Sequence, residues 1–193
     1  MSIEDKIKLV AMSYQMVERE LDRIEDKHKL DLERGSEANL DIDEQYYPQF
    51  EEAIRKEAGS MASHYQLLYC LEKSIRELIK GKLQAEHGTN WWKNTVPEQV
   101  RENANANFKR EIDSAVTPRS TEEIDYTTFG ELGEIVRNNW TTFSDTFNSP
   151  KAFTKIMTSL NILRGPIAHC CPLAPDEVVR LQITLRDWFR LME

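Results

Sequence analysis

One short stretch combines two side chains that are suited to phosphate chemistry, Arg164 and His169, five residues apart across Gly165-Pro166. Arginine is a permanent cation whose planar fork matches phosphate oxygens, and histidine exchanges a proton near neutral pH. Because RNA carries its own nucleophile, the 2′-hydroxyl, such a pair could cleave it by positioning, proton transfer and charge stabilisation, without a metal ion. The spacing alone also fits a histidine that is hydrogen-bonded within the fold.

The element that carries this pair decides whether the two side chains can meet. On an unbroken helix, five residues turn through about 140°, which would put Arg164 and His169 on different faces. Pro166 cannot donate a backbone hydrogen bond, and its ring crowds the preceding turn. The sequence therefore predicts that the helix carrying Leu160 and Leu163 ends or kinks just after Arg164, so that both side chains reach one point.

The neighbours of the pair have two interpretations each. Asn161 lies one turn before Arg164 and could hydrogen-bond in the site or cap the kink. Cys170 and Cys171 beside His169 could suggest zinc or a nucleophile, but adjacent cysteines rarely chelate one tetrahedral ion, and no Cys-x2-Cys or His-x3-His pattern accompanies them. Burial beneath the loop as small apolar residues is the preferred interpretation.

Composition and charge favour a globular protein with a small, focused site. Of the 193 residues, 40% are hydrophobic and 30% charged, and the net charge is −8. Proteins that bind nucleic acid along its phosphate backbone usually carry a basic surface, so the acidic net charge disfavours general nucleic-acid binding. Residues 129–193 hold seven acidic and seven basic side chains, so residues 1–128 carry the whole excess of acid. An anionic ligand would meet less repulsion in the C-terminal third.

Apolar spacing along the chain predicts helices throughout, and the predicted fold class is all-α. Ile3 to Ile24 follow a 3.5-residue period, typical of a heptad-patterned helix in an intramolecular hairpin or an intermolecular coiled coil. Residues 31–47 read as an acidic linker. A second long helix, which Gly59-Ser60 could kink or divide, should end near Gly81 or Gly88. Its predicted apolar face comprises Phe50, Ile54, Met61, Tyr65, Leu68, Leu71, Ile75, Leu78 and Ile79.

Further helices are expected over residues 97–114, from near Asp125 to Phe143, through Phe153 to Leu163, and from Pro175 onward, where proline is followed by two acids. Between the long helix and the first of these, Trp91 and Trp92 could cap the core or stack on bases.

Four blocks of the chain, taken together, resemble HEPN domains, and specifically the Swt1-like group. The C-terminal block is Leu160–His169 with Pro172-Leu173 and the later Asp187-Trp188-Phe189. The upstream blocks are Tyr65–Ile79, Gly88–Trp92 with Val96-Pro97, and Tyr126–Trp140. The resemblance covers about residues 61–193, which predicts a HEPN-like helical domain there and an N-terminal helical extension over residues 1–60.

The resemblance implies a metal-independent endoribonuclease with no cofactor, which cleaves RNA to a 2′,3′-cyclic phosphate. It also implies a homodimer in which Arg164 holds the scissile phosphate and His169 handles the proton. Glu72 and Arg76, which are spaced i,i+4, could form an ordinary surface ion pair. The resemblance implies instead that Glu72 faces the cleft and orients Arg164 or His169. Toxin–antitoxin or antiphage settings, with an antitoxin or defence partner protein, are typical of such domains.

Two other functions remain open on the sequence. Many active members carry a polar residue directly after the arginine, where this chain has Gly165, so a catalytically inactive module for dimerisation or partner binding is the alternative. A helical partner of a nucleotidyltransferase is a third. Three cysteines, no signal-like N-terminus and no apolar run of about 20 residues predict a cytoplasmic protein away from membranes.

Overall fold

A computed structural model describes residues 46–193 and, from the segment before them, Leu21, Ile24, Lys27 and His28, which are all helical. The rest of the predicted heptad helix and most of the linker lie outside the described residues. The chain divides into two compact units between Glu51 and Glu52. In the first unit, residues Tyr47–Gln49 form a short 3-10 turn with Pro48 near its start.

Helices are the only regular elements of the second unit over the residues that the structure describes, so the predicted all-α class is confirmed. Its helices, in chain order, are α1 Glu52–His87, α2 Trp91–Thr95, α3 Glu98–Asp113, α4 Phe129–Asn138, α5 Trp140–Phe143, α6 Pro150–Ala168 and α7 Pro175–Leu191. Short 3-10 turns at Gly88–Asn90 and Glu123–Tyr126 precede α2 and α4. None of the described helices has the length and apolarity that crossing a lipid bilayer requires.

Helix α1 is the longest of the described helices. It runs through Gly59-Ser60 without dividing and ends at His87, where Gly88 adopts a φ of 70°, as glycine does after many helices. The predicted domain boundary at residue 60 thus lies within α1. Its buried face begins only at Leu68 and continues every three or four residues to Leu83. The prediction that Phe50, Ile54 and Tyr65 belong to this buried face is wrong, since all three are exposed.

The core lies between α1, α4, α6 and α7. Helix α6 packs against α4 and α7, and α1 packs against α4 and α6. A cluster of aromatic rings closes one end, where Phe147 lies 4.9 Å from Phe153 and 5.3 Å from Trp188 between ring centroids. Trp91 is also buried in the core, with the Trp92 ring set edge-on against it, so the capping interpretation of this pair fits the structure.

Helix α4 begins at Phe129, later than the predicted start near Asp125. Thr128 and Glu131 form a reciprocal capping box, in which each side chain accepts a hydrogen bond from the other residue's backbone N–H. The helix stops at Asn138, and Trp140 belongs to the separate turn α5. The apolar spacing from Phe129 to Phe143 continues through both helices, so it gave no indication of this break.

The prediction that helix α6 ends just after Arg164 is wrong. The helix continues to Ala168 with Pro166 inside it. Proline removes only one backbone bond, to Ile162, and that residue is 68% exposed at the protein surface. The helix ends instead in a Schellman arrangement, in which the backbone N–H of Cys171 donates to the carbonyl of Pro166 at 2.8 Å and Cys170 adopts a φ of 55°.

Candidate functional site: a cationic groove beside Arg164

The side chain of Arg164 is held by a carboxylate from another helix. Its Nε donates to Oε2 of Glu72 on α1 at 2.9 Å. The other oxygen of Glu72, Oε1, lies 2.7 Å from a terminal nitrogen of Arg76. Glu72 is 16% exposed and Arg164 is 39% exposed, so the carboxylate lies inside the fold while the guanidinium reaches the surface. Glu72 therefore bridges two arginines, which a surface ion pair within one helix would not do.

Arg76 anchors this arrangement to the rest of the domain. Its side chain is 12% exposed, and it donates to the backbone carbonyls of Ile124 at 3.3 Å and Thr127 at 3.0 Å. Asp125 lies 3.8 Å from its Nε. Because the Arg76 fork is fixed from both sides, it holds the Glu72 carboxylate in place, and Glu72 in turn fixes the direction of Arg164.

A groove of about 410 Å³ opens beside these residues. Its sides come from one face of α1, from the end of α6 and from the loop between α3 and α4. The residues that line it are Tyr65, Leu68, Tyr69, Glu72, Lys73, Arg76, Arg119, Asp125, Arg164, Ile167 and Ala168. Four of them are cationic and two are acidic, in a chain whose net charge is −8. The groove lining therefore carries an excess of positive charge, although Arg119 and Lys73 also pair with Glu111 and Glu77 outside the lining.

Arg119 is held at the groove by residues of α3 and of the loop. It forms an ion pair with Glu111 and lies over the Tyr126 ring, 5.3 Å from its centroid. The hydrogen bond from the Arg119 side chain, and a second from its backbone N–H, lower the pKa of the Glu111 carboxyl from its usual value of 4.5. The carboxylate thus stays charged in mild acid and keeps Arg119 in position.

His169 lies outside this groove. It is the residue that caps the end of α6, and its side chain is exposed and has no hydrogen bond or ion pair with a described residue. Helical geometry places Ala168 about 40° from Arg164 and the following residue about 140° away, in agreement with Ala168 lining the groove and His169 not doing so. Asn161 is exposed and does not line the groove either. One chain therefore does not bring Arg164 and His169 to a common point.

Cys170 and Cys171 are both exposed, so the prediction that they are buried beneath the loop is wrong. The Schellman turn explains this, since it carries them past the helix end and away from the core. Over the part of the chain that the structure describes, no three histidine, cysteine or acidic side chains converge as a metal site would require.

Several residues that line the groove were not predicted as site residues from the sequence. Tyr65 was assigned to the apolar face of α1, Lys73 lay in the family block Tyr65–Ile79 without an assigned role, and Arg119 and Asp125 were not assigned to the site. The available signal was helical spacing, because Tyr65, Tyr69, Glu72 and Arg76 recur at intervals of three and four and so share a face. The contribution of the α3–α4 loop had no such signal.

The described unit is thus a helical domain with an arginine-centred groove, and comparison with known families defines its class. The family model described as Swt1-like HEPN matches residues 66–193, about two thirds of the chain. The chain belongs to the Swt1-like HEPN family, as the sequence blocks predicted. No curated protein and no solved structure matches it.

Proposed function

We propose that this protein is a metal-independent endoribonuclease of the HEPN type, in which Arg164 holds the scissile phosphate and His169 transfers the proton. The observation that carries the proposal is the Glu72 carboxylate 2.9 Å from Arg164, which aims a guanidinium at a cationic groove within a HEPN-family domain. The proposed setting is toxin–antitoxin or antiphage defence, with an antitoxin or defence protein as regulating partner.

The position of His169 makes a second copy of the chain part of the proposal. Because α6 continues to Ala168, Arg164 and His169 of one copy face different directions. Two copies that pack near the ends of their α6 helices would place the histidine of one beside the arginine of the other. The active unit is then a homodimer with a composite cleft.

The reaction follows from these roles. The 2′-oxygen forms a bond to phosphorus while the bond from phosphorus to the 5′-oxygen breaks. The 2′-hydroxyl proton passes to an unprotonated His169 imidazole, and the leaving 5′-oxygen receives a proton from a protonated imidazole of the second copy or from water. Arg164 neutralises the charge that develops on the non-bridging oxygens. The products are a 2′,3′-cyclic phosphate and a free 5′-hydroxyl.

Cleavage of single-stranded RNA by the full chain in the presence of EDTA tests this directly. The expected products carry a 2′,3′-cyclic phosphate, and a 2′-deoxy substitution at the cleaved nucleotide should block the reaction, since it removes the nucleophile. His169→Ala should lower the rate by about 10²- to 10⁴-fold and leave the unfolding temperature unchanged, because the side chain is exposed. His87→Ala, an exposed histidine at the end of α1, is the matched control. Cleavage by His169→Ala at the wild-type rate would refute the mechanism.

The second candidate function is a catalytically inactive module for dimerisation or partner binding. Large apolar side chains that are exposed on α6 and α7 favour it, namely Ile162, Val179, Ile183 and Phe189. It predicts a dimer that does not cleave RNA. A Cβ at Gly165 would meet no atom within 4 Å, so Gly165→Asn should fold. Cleavage by this variant alone would show that the missing polar residue is the cause of inactivity.

A further inference from the structure

Two tyrosines line the groove that Arg164 enters. Tyr65 and Tyr69 lie one turn apart on α1 and are 57% and 61% exposed. Their ring centroids are 6.2 Å apart, and the rings are tilted by 38°. Neither hydroxyl forms a hydrogen bond with a residue that the structure describes. Two large rings are therefore presented to solvent side by side, and Leu68 is the one buried residue among those that line the groove.

The tyrosines are close to the residues that would hold a phosphate. Tyr69 precedes Glu72, which fixes Arg164, by three residues, or about 4.5 Å along the helix axis. Lys73 follows Tyr69 by one turn and also lines the groove. The same face of α1 thus passes from exposed rings to the arginine site over little more than one turn. A nucleotide has the matching arrangement, with a flat apolar base next to an anionic phosphate.

The charge of the groove distinguishes it from an ordinary apolar protein–protein contact surface. The groove residues carry two more cationic than acidic side chains, although the whole chain has a net charge of −8. A second copy of an acidic chain gains less from such a surface than a polyanion does. Base-stacking platforms combine the same two elements, namely aromatic faces and cations that follow the strand.

We propose that Tyr65 and Tyr69 form a stacking subsite for an unpaired base of the RNA whose adjacent phosphate is held by Arg164. The inference rests on the proposed function, since it assigns the substrate class of the same groove. In duplex RNA each base is already stacked and its face is covered, so the subsite selects single-stranded or looped RNA. The rings act through their faces, and the hydroxyls are dispensable.

Binding of a short single-stranded RNA that is 2′-O-methylated throughout tests the subsite separately from cleavage, because this probe has no nucleophile. A 2-aminopurine placed at each position in turn reports stacking by the quenching of its fluorescence, and anisotropy gives the affinity. Tyr65→Ala and Tyr69→Ala should each weaken binding by about 5- to 100-fold and remove the quenching at one position. The Phe substitutions should retain both. Ile112→Ala, which removes an exposed apolar side chain of α3 outside the groove, is the control.

The outcomes separate this inference from the proposed function. Wild-type affinity and quenching in the Tyr65→Ala/Tyr69→Ala double variant would overturn the subsite even if the wild type cleaves RNA. Equal binding of the matching duplex would also overturn it, as would a fall in solution mass in that variant, which would assign the rings to a contact between copies. Stacking without cleavage by the wild type would support the subsite and count against the nuclease.

Discussion

Replacement of Glu72 by glutamine is the most informative single change in this structure. One carboxylate oxygen of Glu72 forms an ion pair with Arg76 at 2.7 Å, and the other accepts a hydrogen bond from Arg164 at 2.9 Å. A glutamine keeps the shape of the side chain, but its one oxygen can serve only one arginine, and its amide hydrogens would face the other. Arg76 keeps the carbonyls of Ile124 and Thr127, whereas Glu72 is the one partner of Arg164 among the described residues. Arg164 should therefore be released.

The size of the effect follows from the exposure of the three side chains. Hydrogen bonds to charged groups contribute about 1.5–3 kcal/mol when buried, and the 39% exposure of Arg164 reduces its share. We expect Glu72→Gln to lower the free energy of unfolding by about 1–2 kcal/mol, or the unfolding temperature by about 3–8 °C. If Arg164 acts in catalysis, the loss of its positioning should slow RNA cleavage by about 10- to 100-fold.

Urea unfolding and the initial cleavage rate measure the two effects on the same protein. Glu77→Gln is the matched control, since Glu77 lies on the same helix in an exposed pair with Lys73 at 3.5 Å, and exposed pairs contribute about 0–1 kcal/mol. A double-mutant cycle with Arg164→Met isolates the contact with Glu72. Unfolding and cleavage that are both unchanged in Glu72→Gln would refute the positioning role.

Three further changes test the local structure. Gly88→Ala should lower the free energy of unfolding by about 1 kcal/mol in denaturant titrations, because φ is 70° while no atom lies within 4 Å of the added Cβ; no change would show that α1 ends differently. Thr128→Ala should lower it by about 1 kcal/mol through loss of the capping box, and wild-type stability would contradict the assigned start of α4. Arg119→Gln should raise the pKa of Glu111 toward 4.5 in a carboxyl NMR titration. Because the pKa of Glu111 is lowered in the folded state, its carboxylate stabilises the wild type above pH 4.5, and this stabilisation is lost as the pH falls through the folded-state pKa. The variant should not show this loss of stability. A pKa of Glu111 that is the same in the variant and the wild type would contradict the ion pair.

Local patterns were sufficient for most of the helices. The helix through Leu160 and Leu163 and the start of α7 at Pro175 follow from apolar spacing and from proline at a helix start. The end of α1 was predicted near Gly81 or Gly88, and the structure places it before Gly88. Each depends on residues within one or two turns, so the sequence carries the information directly. The family also followed from ordered blocks of sequence, before any contact was known.

The same local rules failed at two positions. One failure was local, because Pro166 was expected to end or kink α6 just after Arg164, but the helix continues to Ala168 and ends in the Schellman bonds that follow. Tyr65 fits the apolar spacing of α1, yet no element that the structure describes buries it, and its side chain is 57% exposed. Apolar periodicity marks a face, and only packing determines how far along the helix that face is buried.

Arg164 and His169 were identified from their chemistry and the family resemblance, and their catalytic roles remain predictions. Sequence alone determined the all-helical class, the Swt1-like HEPN family and the two candidate side chains, because these depend on residue type and short spacing. The family resemblance had paired Glu72 with either Arg164 or His169, and the tertiary structure places it against Arg164, 92 positions away in sequence. The tertiary structure also brought Arg119 to the same groove and placed His169 outside it. Such contacts depend on how helices far apart in the chain pack together, which no local pattern encodes.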